Sequence, residues 1–228
     1  DKVIEYLQGG GKALIFAEHQ KELEEIYDGL GDYRSKKLFF AILYNWYSYD
    51  TKTLQDLMDQ TYVQYYDLDL FSVKEEVFVD VGAYIGDSIL NFIHSYGKDS
   101  YKKIYGYEVT KESYQTMEEN LKGYPSIILK RKAVGKEKGH SFVSLNSQSN
   151  SANTLKNTGE EEVEVVSLDE DIQEEITMIK MDIEGGEKDA LLGCKNHIEK
   201  EHPKLLISIY HGHEDLWKIP TMIRKWYP

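Results

Sequence analysis

Apolar residues change their period once along this chain, near residue 75. Before that point they recur three and four apart, so that Phe39, Ile42, Leu43 and Trp46 share one helix face. Asp50 and Thr51, with Thr53, offer capping for a second short helix, and "GGG" at 9–11 separates a short opening helix from the rest. Residues 1–75 are therefore predicted to be a helical lead-in. The tyrosine-rich "YVQYYDLDLF" at 62–71 closes it, either as aromatic packing or as a lid over a ligand. The run "LFFAILYNWY" at 38–47 is predicted to be a core helix, far short of the ~20 residues that cross a bilayer.

From 76 to 228 short apolar runs alternate with amphipathic stretches. "VFVDV" (77–81), "KIYGYE" (103–108), "SIILKRKAV" (126–134), "ITMIKMDIEGG" (176–186) and "KLLISIYH" (204–211) predict strands covered on both faces. Between them, Asp87 and Ser88 can cap a helix with Ile89, Phe92, Ile93 and Tyr96 on one face. Thr110 starts another carrying Tyr114, Met117 and Leu121, and Leu191, Cys194 and Ile198 mark one side of a third. "SFVSL" and "VEVVSL" form a hairpin-like insertion around a polar, mobile loop, and "EDLWKIPTMIRKWY" predicts a broken terminal helix. This alternation implies an α/β fold, a mostly parallel sheet with helices on both faces. Ligands in such sheets bind beyond the carboxyl ends of the strands. That rule singles out Asp80 to Gly86, Glu108, Ala133, Asp182 to Gly185, and Tyr210 to His213.

A formal net charge of -13 excludes a phosphate-backbone ligand as the default, since nucleic-acid affinity rests on Lys and Arg. The single cysteine, Cys194, is expected to be a buried, inert thiol. The chain starts at Asp1 rather than Met and shows no secretory leader, so a cytoplasmic protein without a membrane span is expected.

The first turn, "VFVDVGAYIGDSI", departs from the G-x-G-x-x-G of dinucleotide sites. Tyr84 occupies the place where a glycine would admit a pyrophosphate. An adenosine ligand poor in phosphate fits better, and Glu108 closes the second strand where an acid would chelate ribose hydroxyls. Lys180 is expected to pair with a buried acid. These residues alone leave a nicotinamide-dependent oxidoreductase and a non-catalytic nucleoside-binding module open as alternatives.

Taken together, "FVDVGAYIGDS", "YGYEVTKESYQTMEENL", "LKRKAVG", "VVSLDEDI" and "ITMIKMDIEGGEKDALLG" resemble the FkbM family of S-adenosylmethionine-dependent methyltransferases, with "KMDIEGGE" the most specific piece. The resemblance covers residues 62 to 220. It implies the class I methyltransferase (Rossmann-like) sheet and methyl transfer to a hydroxyl of a sugar, glycan or secondary metabolite. It places the cofactor's methionine part by Asp80, Gly82, Ala83, Tyr84, Gly86, Asp87 and Ser88. The ribose falls to Glu108 and Val109, the adenine to Lys132 and Ala133, and Asp182 closes the site. Asp182 is the expected base, with Glu184 supporting it and His211 an alternative. Carboxylates with a histidine could hold Mg or Mn, yet no metal ligand is assigned. The family's C-terminal hairpin is not visible after "IRKWYP". "KLLISIY" is then expected to be an exposed edge strand, open to homodimer formation.

Overall fold

The computed structural model describes residues 10–58, 63–66, 73–144, 154–156 and 161–227. The predicted opening helix before residue 10 and the polar loop's flanks at 145–153 and 157–160 lie outside the described residues. The chain divides into two compact units, Asp1–Thr61 with Trp217–Met222, and Tyr62–Leu216 with Ile223–Pro228.

In the first unit, helix α1 spans Gly10–Gly29, with non-helical angles at His19. Gly10 and Gly11 belong to its first turn and do not break the chain, which glycine allows at about 1 kcal/mol each. Helix α2, Tyr33–Ser48, starts where the Asp32 carboxylate accepts the Ser35 N–H at 2.8 Å. It is only half a core helix. Phe39 and Ala41 are buried, whereas the 3.6-residue period turns Phe40 and Tyr47 to solvent. Asp50 caps the short α3, Lys52–Gln55, by accepting the Lys52 N–H at 2.9 Å.

The second unit holds a five-stranded sheet of β1 (Glu76–Val81), β2 (Tyr101–Tyr107), β3 (Ile127–Lys130), β8 (Met178–Met181) and β9 (Lys204–Ile207), in the order β3-β2-β1-β8-β9. Every pairing in it is parallel. A second sheet, β4-β7-β5-β6, contains Ala133–Val134, Gly139–Ser144, Thr154–Lys156 and Glu161–Val166, numbered β4 to β7 along the chain. Helices α4 (Asp87–Tyr96), α5 (Lys111–Asn120), α6 (Leu168–Asp171), α7 (Glu187–Leu192) and α8 (Lys195–Glu201) connect the strands, and α9 (Asp215–Trp226) follows β9. The core is built on Phe78, Ile89, Phe92, Ile104, Met117 and Met178, all fully buried.

Strand order reverses beside β1: β2 and β3 lie on one side of it, β8 and β9 on the other. The carboxyl ends of β1 and β8 therefore flank the crevice where such sheets bind ligands. Membership of β9 at the sheet edge follows from the same order.

Several elements differ from their sequence-based outlines. The helical lead-in does not continue to residue 75, because Val63 and Tyr66 bridge across a turn in which Tyr65 has φ 73°. The run 126–134 is two strands, since after Lys130 the chain leaves β2 and Ala133 pairs with Val165 of β7. Helices α7 and α8 replace one helix. Gly193 between them approaches Gly135 so closely that a Cβ would stand 2.0 Å from the Gly135 carbonyl oxygen. Cys194, at that break, is buried as expected. β9 stops at Ile207, which releases Tyr210 and His211 from the ladder. The terminal helix is unbroken, with Pro220 inside it.

Candidate active site

The turn after β1 is locked from beneath. Asp80 is fully buried, and the Lys180 ammonium lies 2.9 Å from its Oδ1 as an ion pair without hydrogen-bond alignment. Lys180 donates instead to the Gly82 carbonyl at 2.8 Å, and Ser88 Oγ donates to Asp80 Oδ2. Ser88 is therefore not the cap of α4, whose N-cap is Gly86 with no side-chain cap, leaving Asp87 exposed in the first turn. Gly82 has φ 80°, and a Cβ there would stand 2.1 Å from the Asp182 carbonyl oxygen. The glycine is demanded by the backbone just past β8.

Glu108 directly follows β2 with 8% of its surface exposed. Its Oε2 accepts the Tyr84 N–H at 3.0 Å and its Oε1 accepts the Thr110 N–H at 2.8 Å. Burial pushes this carboxyl up, and the amides of Thr110 and Tyr84 pull it back. The Thr110 hydroxyl and the Val109 amide pull it down as well. Tyr84 reaches its position with φ 48°, in the left-handed region that costs a tyrosine about 1 kcal/mol.

A cavity of about 700 Å³ opens at these strand ends. Of the predicted cofactor residues, Gly82, Tyr84, Glu108, Val109, Lys132, Ala133 and Asp182 line it. Asp80, Ala83, Gly86, Asp87 and Ser88 do not: Asp80, Ala83 and Ser88 are buried, Gly86 packs on Leu121 and Met117, and Asp87 faces solvent. Lys132 stands between the two sheets, 3.2 Å from Glu164 and 3.6 Å from Asp171.

Across the crevice, Asp182, Glu184 and His211 converge. Nε2 of His211 lies 3.4 Å from Asp182 Oδ1 and 3.6 Å from Glu184 Oε2. Strand alternation is not the cause, because β8 ends at Met181 and Glu184 sits in the turn at φ 55°. Two phenols hold Asp182: Tyr65 donates to Oδ2 at 2.5 Å and Tyr210 to Oδ1 at 3.0 Å. Partial burial and the Asp182 charge push the Tyr210 phenol up to about 12, and burial raises Tyr65 as well. Glu187 completes the group, its Oε1 accepting the Ile183 N–H at 2.8 Å and lying 3.0 Å from His211 Nδ1. Burial raises its carboxyl.

A family model described as the methyltransferase FkbM domain matches residues 80–227. The chain belongs to the FkbM methyltransferase family. The crystal structure of methyltransferase FkbM from Methylobacillus flagellatus KT superposes with a TM-score of 0.77 at 22% identity, over 93% of this chain and 54% of that one. That likeness is one of fold, and the present chain spans about half the length of its neighbour. No curated protein matches the sequence. Among the described residues no helix is long and apolar enough to cross a membrane.

Sequence reasoning gave no role in the site to Tyr65 or Glu187, and singled out Tyr210 only as a strand-end residue. Tyr65 and Tyr66 come from the tyrosine-rich stretch, whose other residues, Val63 and Gln64 apart, lie outside the described ones. Tyr66 packs edge-on against Phe92 and donates to the Ser88 carbonyl at 2.8 Å, while its neighbour reaches Asp182. No periodic signal separates the two roles. Glu187 had a signal, an acid three residues past Glu184, but an exposed helix start produces the same pattern.

Proposed function

We propose that the protein binds S-adenosylmethionine in the cavity at the β1 and β2 ends and methylates a hydroxyl of a sugar, glycan or secondary metabolite. The observation that carries this reading is the Glu108 carboxylate, held at the cavity wall by backbone donors where the second strand ends. A vicinal ribose diol offers two hydroxyl donors to a carboxylate at this strand end. Tyr84, Val109, Lys132 and Ala133 line the remaining wall, and about 700 Å³ suits a nucleoside of this size. Asp80, Gly86, Asp87, Ser88 and Ala83 act one layer behind, shaping the turn.

S-adenosylmethionine supplies an electrophilic methyl group whose transfer leaves a neutral thioether. The chain must orient the acceptor oxygen and receive its proton. Asp182 stands at the cavity wall and His211 behind it, so the proton passes from the acceptor to this carboxylate–imidazole pair. Tyr65 and Tyr210 fix the carboxylate's orientation, and Glu184 adds a second acceptor beside Nε2.

Calorimetric titration with S-adenosylhomocysteine tests the reading. A hydrogen bond to a charged group contributes about 1.5–3 kcal/mol, so Glu108→Gln should weaken binding by roughly tenfold to a hundredfold. Radiolabelled methyl transfer to hydroxylated acceptors should then depend on Asp182, with Asp182→Asn retaining ligand affinity but losing turnover. Binding of NAD in preference to S-adenosylhomocysteine, or full affinity in Glu108→Gln, would overturn it.

A further inference from the structure

The group around His211 contains more acceptors than its protein partners satisfy. Glu187 is 1% exposed, yet its Oε2 has no hydrogen-bond partner. The His211 side chain is 10% exposed, and neither Nδ1 nor Nε2 makes an aligned hydrogen bond. Buried polar atoms are rarely left so, because desolvation without a partner costs about 1–3 kcal/mol per group. One ligand atom each from Asp182, Glu187 and His211 lies within 4.8 Å of the others. An unpartnered carboxylate oxygen of Glu187 and one unpartnered ring nitrogen of His211, buried beside Asp182, are what a small cation would satisfy together.

We propose that Asp182, Glu187 and His211 form a binding site for one divalent cation of the Mg/Mn class. Carboxylate oxygens select a hard cation, and one imidazole nitrogen favours Mn among them. No thiolate is at hand to recruit a softer ion, since the only cysteine in the sequence, Cys194, is buried in the helix break. Three protein ligands leave positions for water or a substrate oxygen. Asp182 is the ligand shared with the cavity wall, so the cation adjoins the space where an acceptor would enter. A cation there lowers the pKa of an oxygen bound to it, which eases deprotonation of an alcohol. This last consequence rests on the methyl-transfer reading; the cation site itself does not.

The site is tested on chelator-treated protein by Mn²⁺ titration followed by electron paramagnetic resonance, with no methyl donor or acceptor present. Wild type should take up one Mn²⁺ per chain, displaced by excess Mg²⁺. Glu187→Gln keeps an oxygen for the Ile183 N–H, and it and His211→Gln should each weaken Mn²⁺ at least about tenfold. Circular dichroism of the same samples reports whether the variants are folded, and S-adenosylhomocysteine titration tests the methyl-transfer reading separately. Electron spin-echo modulation on wild type needs no variant and should show one imidazole nitrogen on the bound Mn²⁺. Absence of stoichiometric uptake, of that nitrogen, or of any loss in folded variants overturns the site. Mn²⁺ uptake without S-adenosylhomocysteine binding would leave the site standing and remove the methyl-transfer reading.

Discussion

Lys180→Met takes an ammonium away from a carboxylate that water cannot reach. Asp80 is fully buried and Lys180 is 3% exposed, with 2.9 Å between Nζ and Oδ1. The same nitrogen donates to the Gly82 carbonyl, so the substitution also strips that oxygen of its donor. Methionine fills most of the volume, which keeps cavity formation out of the measured effect. Removing one partner of a buried ion pair costs about 3–5 kcal/mol, far above the ~1 kcal/mol of an exposed pair. At about 2–4 °C per kcal/mol for a chain of this length, the melting temperature should fall by roughly 6–20 °C. Urea unfolding followed by circular dichroism gives the free energy directly. Asp80→Asn in the Lys180→Met background removes the stranded charge and should restore about 1–3 kcal/mol. A loss under about 1 kcal/mol in Lys180→Met, or no recovery in the double variant, would refute the claim that this pair holds the first turn.

Gly82→Ala should cost at least about 2 kcal/mol in the same unfolding assay, combining the left-handed backbone with a Cβ against the Asp182 carbonyl. Gly123→Ala is its control: φ is 96° there but nothing lies within 4 Å, so only about 1–2 kcal/mol of backbone strain should appear. The pH dependence of stability should carry a signature of Asp171. Burial alone would raise its carboxyl, but Lys130 at 2.5 Å and the Tyr107 hydroxyl at 2.6 Å hold it below the ordinary value. A depressed folded pKa stabilises above the unfolded value and is lost as pH falls through the folded one. The urea midpoint of wild type should therefore converge on that of Asp171→Asn as pH drops below about 4, and a constant gap would count against the assignment.

Much of the parallel sheet was legible because its strands are buried on both faces. "VFVDV" and "ITMIKM" carry that requirement as mostly apolar runs, each broken by one charged residue, Asp80 and Lys180, facing each other in register across β1 and β8. Glu108 was legible too, since a strand end followed by a helix leaves an acid free to cap and to face the crevice. Less legible was the split of 126–134, where one continuous β-forming run serves two sheets. Nothing local marks the point at which Lys130 leaves one ladder and Ala133 enters the other.

Local chemistry thus determined which segments extend, which coil, and which turn carries glycine. Only the folded chain decided why Gly82 is glycine: the Asp182 carbonyl, a hundred residues away, closes on it. The same holds for Asp182, which draws Tyr65 from one segment and Tyr210 and His211 from another. Propensity and periodicity act between neighbours along the chain. The contacts that orient a carboxylate or leave an imidazole unpartnered arise between segments, and they exist only once the strand order has set those segments side by side.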